Sequence, residues 1–247
     1  MIGRRRESGS AWYGQLVGSI AAGLSKRPKI TVETLILLVA LYFLMATNAA
    51  FWNALAATGV LEGSRGWSIV AALAVAIVGS HAAMLSLLLN RWIAKQVLTI
   101  LVLLTACVAY FADSYSVHMD QSMIRNMLRT DAAEAAELIT PGLLGYVLVL
   151  GVVPVVAIWR VELKVSPWRR TAFRRLSFIL SMLLITAIAV LAGFNDLSSL
   201  MKNHKALRYL IAPGNYIVST VREMERHGRS AKGARHVVAP DAAQAAH

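Results

Sequence analysis

The chain has 247 residues, of which 57% are hydrophobic and only 15% are charged, and its formal net charge is +12. A mean hydropathy of +0.58 and several apolar runs exclude a soluble globular domain and are typical of an integral membrane protein. The basic residues lie mainly beside the apolar runs, as topology determinants do, so the positive charge does not indicate nucleic-acid binding.

The first 33 residues are predicted to form a cytoplasmic N-terminal segment. Three arginines near the start precede a weakly apolar run that resembles a signal peptide. No clear small-residue cleavage site follows that run, and the basic residues Lys26, Arg27 and Lys29 come instead. A cytoplasmic or surface-lying segment is therefore the preferred interpretation.

Apolar stretches within residues 34–194 predict five transmembrane helices in an all-α, polytopic membrane bundle. The spans are expected near residues 34–52, 67–89, 93–112, 142–159 and 176–194. Gly151 and Pro154 are expected to kink the fourth span. His81 in the second span is interpreted as a buried helix-contact residue, because no second histidine lies near enough in sequence to suggest a metal site.

The distribution of lysine and arginine predicts the topology. Fourteen of these residues lie in the N-terminal segment and the 2/3 and 4/5 connections, against three in the 1/2 connection and the central loop. The positive-inside rule then places the N-terminus in the cytoplasm and the loop of residues 113–141 on the far side of the membrane. Five spans also place the C-terminus on the far side.

The loop of residues 113–141 carries the candidate site. Ser122, Asn126, Thr130 and Glu134 follow one another at intervals of four residues, so a continuous helix presents them on one face. The opposite face is apolar, which predicts an amphipathic helix on the membrane surface with a polar row for a lipid headgroup. The alternative is a solvated surface helix in which Glu134 only completes a capping box with Asp131.

The C-terminal part is predicted to contain two segments. Residues 195–221 read as a helical segment on the far side of the membrane, with a turn at Pro213, Gly214 and Asn215 between two short helical stretches. Residues 222–247 lose apolar periodicity and read as a linker or disordered tail. No histidine pair at metal-ligand spacing, glycine-rich phosphate loop or nucleophile elbow occurs, so the pattern predicts no catalytic residue, metal ligand or cofactor in this chain.

Two motifs resemble the phosphoethanolamine transferases that modify lipid A, a family that includes the mobile colistin-resistance enzymes. The loop carries the pattern D-x-S-M-I-x-N-x-L-x-T-D-x-x-E, formed here by Asp120, Ser122, Met123, Ile124, Asn126, Leu128, Thr130, Asp131 and Glu134. After the fifth span, residues 203–215 match N-H-K-x-L-R-Y-L-I-x-P-x-N. Tyr115, Gln121 and Leu138 also fit the first motif.

The resemblance implies an inner-membrane enzyme that takes phosphoethanolamine from phosphatidylethanolamine onto a threonine nucleophile and passes it to lipid A. It also implies that Asn126, Thr130 and Glu134 line a headgroup site beneath a zinc-dependent periplasmic domain. The chemistry is compatible, because amides and hydroxyls donate to phosphate oxygens and a carboxylate accepts from an ammonium group.

The family's G-E-T-x-R nucleophile motif and zinc ligands do not occur within the 247 residues. This chain by itself is therefore expected to be inactive, with zinc bound only by a missing or separately supplied catalytic domain. The chain is expected to be a truncated or split transferase, or a membrane domain retained for another role. The alternative function is a non-catalytic inner-membrane protein that binds phospholipid or a partner protein through residues 113–140.

Overall fold

The computed structural model describes residues 27–63, 65–115, 138–215 and 217–219. Across these ranges the chain is a helical bundle with four single helices long and apolar enough to span a membrane and one bent pair that passes the same test together. Counting the pair once gives five spans, and the predicted all-α membrane bundle is confirmed. The helices are α1 (Val32–Ala46), α2 (Ala49–Ala56), α3 (Gly66–Leu88), α4 (Ala94–Tyr115), α5 (Pro141–Tyr146), α6 (Val153–Arg160), α7 (Trp168–Ala192) and α8 (Phe194–Asn203).

The first span is bent by 50° between α1 and α2. At the bend, the Thr47 hydroxyl and the Asn48 amide both donate to the carbonyl of Phe43, at 3.0 and 2.7 Å. These side-chain bonds compete with the regular helical pattern and end α1. The sequence predicted one span over residues 34–52, because the residues on both sides of the bend are apolar.

The fourth span combines α5, a π-helical turn (Val147–Val152) and α6. The irregularity lies where Gly151 and Pro154 predicted a kink. Pro154 has no N–H to donate to the carbonyl of Leu150, four residues earlier. The hydroxyl of Tyr42 on α1 donates to that carbonyl instead. The Leu150 carbonyl, which cannot accept from residue 154, thereby receives a hydrogen bond from a neighbouring helix within the membrane.

The second and fifth spans, α3 and α7, pack closely at Gly79. A Cβ atom at this position would overlap Oγ1 of Thr186 and lie 3.2 Å from the carbonyl oxygen of Met182. Small residues allow this kind of close approach between membrane helices. The glycine is therefore required by the neighbouring helix.

We expect Gly79→Ala to lower the free energy of unfolding by about 1–3 kcal/mol, the usual cost of overpacking. Adding Thr186→Ala should recover much of that loss, because Thr186 supplies the atom in the severe contact. Thermal unfolding of the purified variants in detergent measures both effects. Equal stability of Gly79→Ala and the unmodified chain would contradict this packing.

The fifth span begins earlier than predicted. It starts at Trp168, whereas the apolar pattern placed its start near Leu176. The basic residues before Leu176 are therefore helical and form the first two turns of α7, rather than a loop. Hydropathy marks the part of a helix within hydrocarbon, and helix formation continues past that boundary into the polar interface.

A short parallel ladder, which the sequence pattern did not predict, joins β1 (Lys29–Ile30) to β2 (Glu162–Leu163). It places the N-terminal segment beside the connection between the fourth and fifth spans. Nearby, Arg174 forms an ion pair with Glu33, at 2.9 Å between Nε and Oε2. Most lysines and arginines of the described residues collect at this end, which we name the basic end; the loop of residues 113–141 leaves from the opposite end.

Candidate functional site

The predicted site residues Ser122, Asn126, Thr130 and Glu134 lie outside the described residues. The structure does describe where their loop begins and ends. Helix α4 ends at Tyr115, and the described chain resumes at Leu138, just before α5. Both positions lie at the end of the bundle opposite the basic end, so a site beside the loop would be at that end.

An open cleft of about 580 Å³ lies at this end, between α2, α4, α5 and the C-terminal segment. Its lining residues are Ala49, Ala50, Asn53, Ala54, Ala112, Asp113, Tyr146 and Leu210. Four alanines keep the walls of the cleft clear of bulky side chains, while an amide, a carboxylate and a phenol supply polar groups. The volume and this mixture suit a small polar group attached to an apolar body. We name this cavity the loop-end cleft.

A group of tyrosines fixes the two helices from which the loop extends. The Tyr146 hydroxyl on α5 donates to Oδ2 of Asp113 on α4, at 3.3 Å. The hydroxyls of Tyr110 and Thr140 lie 2.7 Å apart, and Thr140 also caps α5 by accepting from the N–H of Leu143 at 3.2 Å. The Tyr110 and Tyr146 ring centroids are 5.4 Å apart in an edge-to-face arrangement. These contacts set the separation of the loop's two ends.

Sequence reasoning missed most of the loop-end cleft. The sequence pattern made residue 113 the start of the loop, whereas Asp113 lies within helix α4 and accepts a hydrogen bond from Tyr146. Tyr110, Tyr146 and Asn53 sit within or beside apolar runs, where aromatic residues are common at membrane interfaces. The sequence offers one indication of a shared site: each of these residues places a polar side-chain atom near the same end of a different span.

The C-terminal segment is clamped onto the bundle by two buried polar side chains. Asn48 is 1% exposed; its amide donates to the carbonyl of Ala212 at 2.9 Å and accepts from the N–H of Ala212 at 2.8 Å. His81 accepts at Nε2 from the N–H of Gly214 at 2.9 Å, so Nδ1 donates to the carbonyl of Ile77 at 2.6 Å. His81 is therefore a buried helix-contact residue, as predicted. We name this pair the Asn48–His81 clamp.

The second sequence motif, residues 203–215, supplies the segment that the Asn48–His81 clamp holds. Leu207, 2% exposed, packs against the apolar cluster formed by α2 and α3. The Asn215 amide donates to the carbonyl of Tyr209 at 2.9 Å and closes the turn. Leu210 lies in sequence between Leu207 and Asn215 and lines the loop-end cleft. The motif therefore contributes part of the wall of the candidate site.

Within the part of the chain that the structure describes, no group of three or more histidine, cysteine, aspartate or glutamate residues could hold a metal ion. The polar groups of the loop-end cleft can donate and accept hydrogen bonds and carry one negative charge. That arrangement can bind a polar, cationic group. It contains no activated nucleophile among the described residues.

Comparison with known proteins identifies related chains. The chain is 28% identical over 188 residues to the phosphatidylethanolamine transferase Mcr-1 of Escherichia coli, covering 76% of this chain and 34% of the relative. It is 29% identical over 199 residues to the phosphoethanolamine transferase EptA of E. coli K12, covering 80% and 36%. The chain thus spans about a third of the length of the curated relatives it matches.

The solved lipooligosaccharide phosphoethanolamine transferase A (EptA) of Neisseria meningitidis, an integral membrane protein, is similar in fold. The TM-score is 0.74 at 27% identity, over 82% of this chain and 38% of that protein. The family model for phosphoethanolamine transferase EptA/EptB matches residues 68–227, more than half of the chain. This multi-pass membrane protein therefore belongs to the EptA/EptB phosphoethanolamine transferase family and carries its membrane domain.

Proposed function

We propose that this chain serves as the membrane domain of an enzyme that moves phosphoethanolamine from phosphatidylethanolamine to lipid A in the bacterial inner membrane. The observation that carries the proposal is the loop-end cleft, which is lined by residues of α4 and α5, the two helices that flank the motif-bearing loop, and includes the carboxylate of Asp113. The family membership supports the donor lipid, because relatives are named for transfer of phosphoethanolamine or phosphatidylethanolamine.

The proposed headgroup site combines the loop and the cleft. Ser122, Asn126 and Thr130 would donate hydrogen bonds to the phosphate oxygens, and Glu134 would accept from the ammonium group. Asp113 offers a second carboxylate for the same ammonium. The hydroxyl of Tyr146 donates a hydrogen bond to the Asp113 carboxylate and holds it in place.

The proposal assigns a role to each segment of the chain. Residues 34–194, with the loop 113–141, would hold the donor lipid; residues 195–221 would form a periplasmic platform, and residues 222–247 would lead towards the catalytic part. The threonine nucleophile and zinc of the resembled family would be supplied by a domain beyond the matched residues. Phosphatidylethanolamine, lipid A and that domain are thus the proposed partners.

Donor-lipid selectivity tests the function. We expect the chain in nanodiscs to bind phosphatidylethanolamine about tenfold more tightly than phosphatidylcholine, because a trimethylated ammonium has no N–H to donate to a carboxylate. Asp113→Asn should reduce this preference. Glu62→Gln is the matched control, since Glu62 is an exposed carboxylate in the connection that follows α2 and does not line the cleft. Equal binding of both lipids would favour the alternative, a non-catalytic phospholipid- or partner-binding protein.

The orientation in the membrane is a second part of the proposal. The N-terminus and the basic end would face the cytoplasm, while the loop and the C-terminal segment would face the periplasm. Reporter fusions at Gln121 and at Ser166 are expected to report opposite compartments. Activity in the same compartment from both fusions would contradict this topology.

A further inference from the structure

A second cleft, of about 290 Å³, lies at the basic end of the bundle, far along the helices from the loop-end cleft. Parts of α1, α3 and α7 and the connections before α4 and before α7 form its walls. Four cationic side chains line it, Arg91, Lys164, Arg174 and Arg175, together with one carboxylate, Glu33. Four positive charges and one negative charge leave a local balance of +3. We name this cavity the basic cleft.

Two of the cations are held in place by the fold. Arg174 uses its Nε to pair with Glu33, whose side chain is only 7% exposed. Arg175 donates to the carbonyls of Ser86 and Leu87, at 2.6 and 3.0 Å, and so caps the C-terminus of α3. A guanidinium carries five N–H donors, and these bonds use one on Arg174 and two on Arg175. Both groups therefore retain donors for a ligand.

The other two cations have no carboxylate partner among the described residues. Lys164 is exposed, and its backbone N–H is bonded to the carbonyl of Ile30, which fixes its position at the end of the β1–β2 ladder. The guanidinium of Arg91 lies 4.3 Å from the centroid of the Trp92 ring, a cation–π contact that leaves its edge N–H groups available. Ser166 and Thr171 add hydroxyl groups to the lining.

The surroundings place the basic cleft at a membrane interface. Trp92 and Trp168 are 71% and 75% exposed at the same end of the bundle, as expected for an interfacial aromatic belt. Apolar side chains on α7 below this level, such as Leu176 and Leu180, are also exposed and would contact acyl chains. A ligand in this cleft would therefore meet cations at one end and hydrocarbon at the other.

We propose that the basic cleft binds the phosphate of an anionic phospholipid headgroup in the leaflet at the basic end. Phosphate diesters accept charge-assisted hydrogen bonds from arginine and lysine, and basic pockets between membrane helices suit anionic headgroups. A zwitterionic lipid carries an ammonium that the local charge of +3 repels. The basic cleft thus differs from the loop-end cleft, whose carboxylate is proposed to bind the ammonium of a zwitterionic headgroup.

Titration of the full chain in detergent tests the ligand class. The probes are short-chain phosphatidylglycerol, short-chain phosphatidylcholine and inorganic phosphate, with binding followed by intrinsic tryptophan fluorescence. We expect phosphatidylglycerol to bind about tenfold more tightly than phosphatidylcholine, and 0.5 M salt to weaken this difference. Inorganic phosphate should bind more weakly than the lipid. Equal binding of phosphate would overturn a lipid ligand, and equal binding of the two lipids would overturn the site.

A matched pair of variants tests the location. Arg91→Ala with Lys164→Ala removes two charges that line the basic cleft, and Arg169→Ala with Arg170→Ala removes two exposed charges from the same end that do not line it. Arg169 also stacks on a tryptophan, at 5.7 Å from the Trp168 ring centroid, so both pairs lose one such contact.

We expect the first pair to weaken phosphatidylglycerol binding about tenfold and the second by less than about twofold, because exposed charges outside a site contribute little. Equal losses would mean diffuse attraction to anionic lipid and would overturn the proposal. Lys164→Gln alone, at an exposed side chain, provides the same comparison if the first pair does not fold: an unchanged affinity would count against the site, and a several-fold loss would support it.

Discussion

Asn48→Leu is expected to lower the free energy of unfolding by about 3–5 kcal/mol, because each buried polar group left without a partner costs about 1–3 kcal/mol. Leucine nearly preserves the volume of the side chain but cannot bond to the N–H and the carbonyl of Ala212, which Asn48 now satisfies at 2.8 and 2.9 Å. Asn48→Asp should cost more, since a carboxylate would face the carbonyl oxygens of Phe43 and Ala212. Thermal unfolding in detergent, followed by tryptophan fluorescence, measures these differences.

Asn203→Leu provides the matched control for the Asn48 variants. Asn203 is exposed, lies on the same C-terminal segment and makes one long bond to Ser199 at 3.5 Å, so its replacement should change stability by less than about 0.5 kcal/mol. The double variant Asn48→Leu, His81→Leu should lose less than the sum of the single variants, because both side chains hold the same segment. If the losses of unfolding free energy in the two single variants add up strictly in the double variant, the two contacts are independent. That result would contradict a clamp in which Asn48 and His81 act together.

The positions of the spans could be predicted from the sequence because length and hydropathy depend on residues close together in the chain. The kink near Pro154 was predictable for the same reason, since a proline removes a donor wherever it occurs in a helix. The compensating Tyr42 hydroxyl was not, because it comes from another span. His81 illustrates the same division: its burial was predicted, while its partner Gly214 depends on the fold of the C-terminal segment.

The two clefts were beyond sequence reasoning for a similar cause. Asp113, Asn53 and Tyr146 lie on three different spans, and only helix packing brings them to one cavity. In the basic cleft, Glu33 and Arg174 form an ion pair although they are distant in sequence. The loop residues, in contrast, were identified from the sequence, by their spacing and by a family motif. Their roles therefore rest on a resemblance and stay a prediction.

Glu134→Ala is expected to weaken phosphatidylethanolamine binding about tenfold or more, because a hydrogen bond to a charged partner is worth about 1.5–3 kcal/mol. Glu134 should have the largest effect in its row, since its loss leaves the ammonium without that carboxylate. Asn126→Ala and Thr130→Ala should each weaken binding as well, through lost donors to the phosphate. Nanodisc binding, or lipid A modification in the presence of the catalytic domain, measures these effects.

Glu134→Gln separates a headgroup contact from a helix cap. Glutamine also serves in a capping box, so a purely local role costs about 1 kcal/mol of helix stability in Glu134→Ala and is largely restored by glutamine. A contact with an ammonium depends on the negative charge, which glutamine lacks, so binding should stay weak in Glu134→Gln. Glu137→Gln, a nearby carboxylate outside the four-residue row, controls for the general loss of charge. Should Glu134→Gln bind normally while Asn126→Ala and Thr130→Ala are silent, the loop is a capped surface helix and the headgroup site is wrong.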